Sequence, residues 1–464
     1  MNYGRFLLCA VLILSTVPVY GGRILLRWDL ESAPPPGLAG VSGLAVPWAV
    51  EKTALVHAAI DAGYKVYYLA APEDLAQAIP VISAGRASGI IIVSRDRQAA
   101  LQAEIQVRPQ IPASLELSIA WETELFPGIL SNSIRQRDGV LQVAAASAQP
   151  WIESNQAAAR ILKFTYPRQR FLHYAWPEDS VQPVLLEDYL LAVAEAGACG
   201  IDLILPLTRD FQQALLRRVP QAVDQWRQVA ACIQVYSRHG PQEYQHEGNV
   251  IVCSDDFDAW FDLLKMLSRY SIPFQLSSRS ELKSLEYSRP GLLLFLATPN
   301  SSEIDELDAL LRRNVSVIVA LENGERTAWP PNLSVISESE EAKTYRAGES
   351  QLVELYGSGI DPNALALDVR RMLGKDGRII QLWNAPTVMA SLYRQDDSTV
   401  VLYLVNYALS PQLVQARIAG AFSKVECLWP EEGKTGTLDS VTDQSFTEVN
   451  IPDVKVGAIV YLKK

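Results

Sequence analysis

Between residues 187 and 240 the spacing of apolar residues switches from helical to strand-like and back. DYLLAVAEAGACG (188–200) repeats its apolar positions at the helical period, GIDLILPL (200–207) is an apolar run of strand length, and QAVDQWRQVAACIQVYSRHG (221–240) is a long amphipathic helix. A parallel strand reaches its neighbour through a crossover, usually a helix, so such a unit implies more of the same layer. Upstream, apolar strands at residues 23–30, 65–71, 89–94, 140–147 and 170–176 alternate with helical patterns at 50–63, 72–85, 95–106 and 151–165. ESAPPPGLAG (31–40) reads as an ordered loop, and residues 114–143 as extended segments with a turn at Asp138-Gly139. The fold class is α/β. A closed (β/α) barrel of eight strands, degenerate in its middle, is the first expectation for residues 23–240, and an open doubly wound sheet the second.

A polar linker at 241–248 precedes a more regular alternation. NVIVCS, PFQLSS, GLLLFLA and VSVIVALE are strands separated by helical patterns, which predicts a flavodoxin-like three-layer α/β domain over 249–375. From residue 378 to 464 the style changes to short strands divided by polar turns, the pattern of a small all-β sandwich.

Composition narrows the function classes. A chain of 464 residues exceeds what one core supports, in agreement with three domains. The net charge of -11, with no basic run, argues against a nucleic-acid partner. Residues 1–22 carry Arg5, an apolar stretch from Phe6 to Val19 and a small residue at Gly21, the layout of a secretory signal peptide. The chain is therefore expected to be exported, to the periplasm or beyond the cell, with no membrane span after signal removal. Cys199, Cys232, Cys253 and Cys427 have no C-x-x-C spacing, and the four histidines form neither HxH nor HExxH, so neither a metal nor another cofactor is expected. Asp255, Asp256 and Asp258 follow the first strand of the second domain, where a cation or simply a helix N-terminus would suit them.

The closing segment carries a resemblance. YLVNY (403–407), VQARI (414–418), LWPE (428–431) and GAIVYL (457–462), behind a barrel and an α/β domain, resemble the C-terminal sandwich of clan A glycoside hydrolases of the trimeric beta-galactosidase type. The resemblance implies a barrel acting on carbohydrate, a glutamine-amidotransferase-like second domain serving packing or assembly, and a homo-oligomer as one outcome. It also implies a catalytic Glu preceded by Asn, and no Asn-Glu pair occurs in this chain. Nor does Cys253 sit in a G-x-C-x-G elbow.

In a barrel, the residues that act stand at the C-terminal ends of strands. Carboxylates beside aromatic rings suit a sugar site, because sugar C–H faces stack on rings while carboxylates serve as acid, base or nucleophile. The candidates are Asp29, Glu153 and Glu178 for catalysis, and Trp28, Trp151, Asn155, Tyr174 and Trp176 for substrate binding. Glu73, His173 and Asp179 stand nearby in the sequence. Each has a structural counterpart: Asp29 as a turn cap, Glu153 at a helix start, Glu178 as a solvated loop residue, His173 as a core histidine, the tryptophans as packing. Two readings follow, a glycoside hydrolase and a non-catalytic glycan-binding or cell-envelope interaction protein of the same architecture. Retention would need two carboxyls about 5 Å apart, inversion roughly 6.5 to 9.5 Å.

Overall fold

A computed structural model describes residues 22–123, 126–130, 134–137, 140–143, 151–166, 170–174, 184–241, 244–285, 291–321, 327–331, 333–356, 359–408 and 410–464. The first part of the chain runs β1 (Ile24–Arg27), β2 (Gly43–Pro47), α1 (Thr53–Asp61), β3 (Val66–Ala70), α2 (Leu75–Ala84), β4 (Gly89–Ser94), α3 (Arg97–Val107) and β5 (Glu116–Thr123). It continues with β6 (Gly128–Leu130), β7 (Ile134–Arg137), β8 (Val140–Val143), β9 (Trp151–Glu153), α4 (Gln156–Thr165), β10 (Arg170–Tyr174), α5 (Leu186–Cys199), β11 (Asp202–Pro206), α6 (Arg209–Leu216) and α7 (Pro220–His239). Seven of these strands close a parallel barrel in the order β1-β11-β10-β5-β4-β3-β2. Strand β1 pairs with both β11 and β2, which excludes the open sheet.

Closure is as expected from the sequence, but the strand count is seven among the described residues rather than eight. Of the segment expected as a barrel strand at 140–147, the described residues 140–143 are instead β8, paired antiparallel with β7. Two strands replace it: β2, at the end of the Pro-rich loop, and β5, in the stretch read only as extended. The helical pattern read at 95–106 is α3, which is followed directly by a 3₁₀ turn at Arg108–Gln110.

Strand parity fills the barrel. Leu25, Ala45, Tyr67, Leu69, Ile91, Ala120, Phe171 and Ile204 pack together inside it, so the interior is a core and not a pore. At the N-terminal end, Arg23 forms ion pairs with Glu116 and with Asp202, and its guanidinium lies 4.8 Å from the Phe171 ring centroid. Tyr67 completes this floor by donating to Glu116 across 3.1 Å. Burial would lower the Arg23 pKa, but Asp202 and Glu116 outweigh it and hold the group above its ordinary value.

The second part adds β12 (Gln245–His246), β13 (Val250–Cys253), α8 (Phe261–Arg269), β14 (Phe274–Ser277), β15 (Leu292–Phe295), α9 (Ser301–Arg312), β16 (Ser316–Leu321), β17 (Ser334–Glu338), β18 (Ala342–Ala347), β19 (Ser350–Tyr356) and α10 (Pro362–Leu373). The parallel strands run β14-β13-β15-β16-β19, the flavodoxin-type order, with the β17–β18 hairpin continuing the sheet antiparallel beside β19. Helices α8 and α10 cover one face and α9 the other. Between β14 and β15, where the alternation predicts a helix, the described residues form a 3₁₀ turn over Arg279–Ser284.

The third part comprises β20 (Ile380–Trp383), β21 (Val388–Arg394), β22 (Thr399–Asn406), β23 (Gln412–Ala419), β24 (Lys424–Trp429), β25 (Lys434–Thr437), β26 (Ser440–Thr442), β27 (Phe446–Val454) and β28 (Gly457–Lys463), in two antiparallel sheets. The segment expected as a linker contributes β12, which pairs with β21 at the sheet edge. Every residue of β22 is buried because both its faces are covered. Leu402 and Leu404 face the sandwich core, whereas Val401, Tyr403 and Val405 join the core beneath the barrel helices. The helix layer around the barrel and the outer face of this sheet thus share one continuous apolar cluster.

Candidate functional site

Inward parity along β1, β5 and β10 carries beyond the apolar layer to the C-terminal mouth. There it delivers Arg27 from β1, Glu122 from β5 and His173 from β10, with Asp29 just past the end of β1. Arg27 Nε donates to Asp29 Oδ1 at 3.0 Å, and Arg27 Nη1 lies 3.1 Å from His173 Nε2. His173 Nδ1 stands 3.7 Å from Glu122 Oε1, and Arg95 Nε approaches Glu122 Oε2 at 3.4 Å. His173 forms the floor, 2% exposed, while the side chains of Asp29 and Glu122 are 31% and 25% exposed.

The chemistry of the donors fixes the state of His173. A guanidinium only donates, so Nε2 accepts and the ring proton sits on Nδ1, directed toward Glu122. Burial, and then the charge on Arg27, push the His173 pKa down to about 3, so the ring is neutral near pH 7. The His173–Glu122 approach is accordingly a neutral N–H facing a carboxylate across a gap too long for a hydrogen bond, not an ion pair.

Asp29 is held from several sides. Gln212, fully buried on α6, accepts from the Asp29 backbone N–H at 2.8 Å and donates to Asp29 Oδ2 at 3.2 Å, while also donating to the Leu207 carbonyl. Lys52 Nζ reaches the Asp29 carbonyl at 3.3 Å. The loop after β1 is thereby pinned to the α6 side of the barrel.

Other residues singled out in the sequence lie elsewhere. Trp28 has outward parity and is fully buried, its indole N–H donating 2.7 Å to the Ser32 carbonyl; it packs under the loop and offers no face to a sugar. Tyr174 also points outward, is fully buried, and donates to Glu195 at 2.7 Å. Asn155 binds the same Glu195 through its backbone N–H at 2.8 Å and its side chain at 3.2 Å. Glu153 pairs with Lys265 of α8 at 2.6 Å, which places it on the seam with the α/β sheet. Glu73 lies in a 3₁₀ turn after β3. Asp258 pairs with Arg97, Asp256 caps the backbone N–H groups of Asp258 and Ala259, and Asp255 accepts from the Arg279 N–H, so these acids serve turns and seams. Trp176, Glu178 and Asp179, and the side chain of Trp151, lie outside the described residues. Of the sequence candidates for catalysis, the mouth therefore holds Asp29. Arg27, Glu122 and Gln212 were missed, and strand parity was the available signal for the first two.

No protein-family model and no curated protein matches the chain. Among solved structures it is similar to alpha-L-fucosidase isoenzyme 2 from Paenibacillus thiaminolyticus, with a TM-score of 0.59 and 10% identity over 96% of this chain and 99% of that one. Lower scores relate it to a GH42 beta-galactosidase from G. stearothermophilus (TM-score 0.45, 10% identity, 79% of this chain and 66% of that one) and to a rhamnosidase from Novosphingobium sp. PP1Y (0.45, 12%, 89% and 38%). With its closed parallel barrel, the chain shares its overall fold with this fucosidase structure.

Proposed function

We propose that the protein is an exported glycoside-hydrolase-like protein acting on a glycan at the barrel mouth. The observation that carries this reading is the convergence of Asp29, Glu122, Arg27 and neutral His173 at the carboxyl ends of β1, β5 and β10. Glu122, addressed by the His173 N–H and Arg95, is the proposed acid/base. Asp29 is the proposed second carboxylate, and Glu178 and Trp176, which follow β10 in the sequence, are proposed to complete the site. Asp29 and Glu122 stand at opposite ends of a run of contacts through Arg27 and His173. Export is proposed on the layout of residues 1–22, and an assembly role, including homo-oligomerisation, for the amidotransferase-like second unit.

One observation favours a second reading, glycan binding without turnover. Both oxygens of Asp29 are engaged, by Arg27 and by Gln212, which suits a fixed hydrogen-bonding platform. Turnover of chromogenic glycosides and natural oligosaccharides by the full chain, with the anomer of the product read by NMR, separates the two. Hydrolysis supports the first reading, and binding without product supports the second.

A further inference from the structure

A cleft of about 470 Å³ opens between the α/β sheet and the sandwich, away from the barrel mouth. Its volume lies in the range of small-molecule sites. It is lined by Arg269 from the end of α8, Arg370 from the last turn of α10, and Arg378, Gln381, Trp383 and Asn384 from the segment entering the sandwich. No aspartate or glutamate is among its lining residues, in a chain whose net charge is -11.

Each arginine has a local anchor or role. Arg269 donates 2.6 Å to the Pro386 carbonyl, Arg378 Nε donates 2.7 Å to the Gly374 carbonyl, and Arg370 suits the C-terminal end of a helix dipole. These contacts orient the guanidiniums without neutralising them. Among the described residues neither Arg370 nor Arg378 meets a carboxylate. Arg370 and Arg378 both line the cleft, and burial, then the charge on Arg370, lower the Arg378 pKa. Trp383, also on the cleft wall, leaves 43% of its surface exposed. An anion would relieve the repulsion through bidentate contacts, and a ring would cover the indole.

We infer that this cleft binds a sugar-sized ring bearing one anionic group, with the anion on Arg370 and Arg378 and the ring against Trp383. The site is independent of the barrel-mouth reading.

The test is titration calorimetry of the full chain with glucuronate, a sulfated monosaccharide, neutral glucose and inorganic sulfate, at low and at physiological salt. Expected is binding of at least one anionic sugar, with glucose much weaker, and affinity falling as salt rises. Arg370→Gln and Arg378→Gln each weaken it at least about tenfold, and Trp383→Ala weakens the sugar but not inorganic sulfate. Glucuronate or the sulfated sugar as the tighter ligand identifies the anionic group. Binding unchanged in the Arg370→Gln/Arg378→Gln double variant, glucose binding as tightly as the anionic sugars, inorganic sulfate binding as tightly as the sugars, or no binding by any anionic sugar would each overturn the inference. Should the double variant fail to fold, the two single arginine variants, each verified as folded by circular dichroism, decide the matter: binding unchanged in both would overturn the inference.

Discussion

Tyr407 of the sandwich donates a 2.6 Å hydrogen bond to Glu195 Oε1 on α5, 212 residues earlier in the chain. Glu195 is fully buried and also accepts from Ser154 Oγ at 2.8 Å, the Asn155 backbone at 2.8 Å and Tyr174 at 2.7 Å. One carboxylate thus ties the start of α4, the end of β10, the outer helix layer and the sandwich. YLVNY, part of the family-like tail, places its last tyrosine on the barrel.

Loss of that tyrosine hydroxyl leaves Glu195 and the Gln156 amide, 3.2 Å away, short of a partner inside the core. Tyr407→Phe is expected to cost about 1–3 kcal/mol of stability in urea unfolding. A cost near zero would mean that the sandwich does not depend on this contact.

Burial raises the Glu195 pKa above its ordinary 4.5, although the tyrosines, Asn155 and Ser154 oppose the shift. A carboxyl with a raised folded pKa contributes stability that is fully present below the unfolded pKa and declines as pH rises from about 4.5 to the folded value. Glu195→Gln is expected to lack that decline when stability is followed from pH 4 to 8. Superimposable profiles would place the folded pKa at its ordinary value.

His173 carries the opposite sign. With a folded pKa of about 3 against an ordinary 6.5, the unfolded chain binds the extra proton between those values, so stability falls as pH drops from 6.5 toward 3. Nitrogen NMR of the imidazole is expected to report one neutral tautomer, protonated at Nδ1, from pH 8 to 5. An imidazolium signal at pH 6 would contradict this assignment.

At the closed end of the barrel, Arg23→Met leaves Glu116 and Asp202 without their shared cation. Because Arg23 is about a third exposed, the expected cost is about 2 kcal/mol in thermal unfolding, below that of a fully buried pair. Glycan turnover at the opposite mouth is expected to persist.

Much of the fold was legible because its strongest elements are long and keep one period, such as α7 and β22. β2 was hidden because GLAVP is five residues bracketed by glycine and proline. β5 was hidden because a parallel strand is expected as a continuous apolar run. ELSIAWET instead turns Leu117 and Ile119 toward the helices and Ser118, Ala120 and Glu122 toward the barrel axis. The same parity separates His173, inside, from Trp28 and Tyr174, outside. Aromatic residues at strand ends therefore suggested a sugar platform where the alternation of their own strands assigned them to the core. The contacts made by Gln212 and Glu195 depend on helices returning to strands far away in sequence, and no local pattern announces them.

Glu122 and Asp29 are the carboxylates proposed to act on a glycan at the mouth. The most direct test is hydrolysis of a glycoside and oligosaccharide panel by the full chain beside Glu122→Gln, Asp29→Asn and Glu153→Gln, each verified as folded. Turnover is expected to fall about a hundredfold or more in the first two and to be retained in Glu153→Gln, whose carboxylate pairs with Lys265 on the seam. Turnover unaffected by Glu122→Gln and Asp29→Asn, or lost only in Glu153→Gln, would contradict that role.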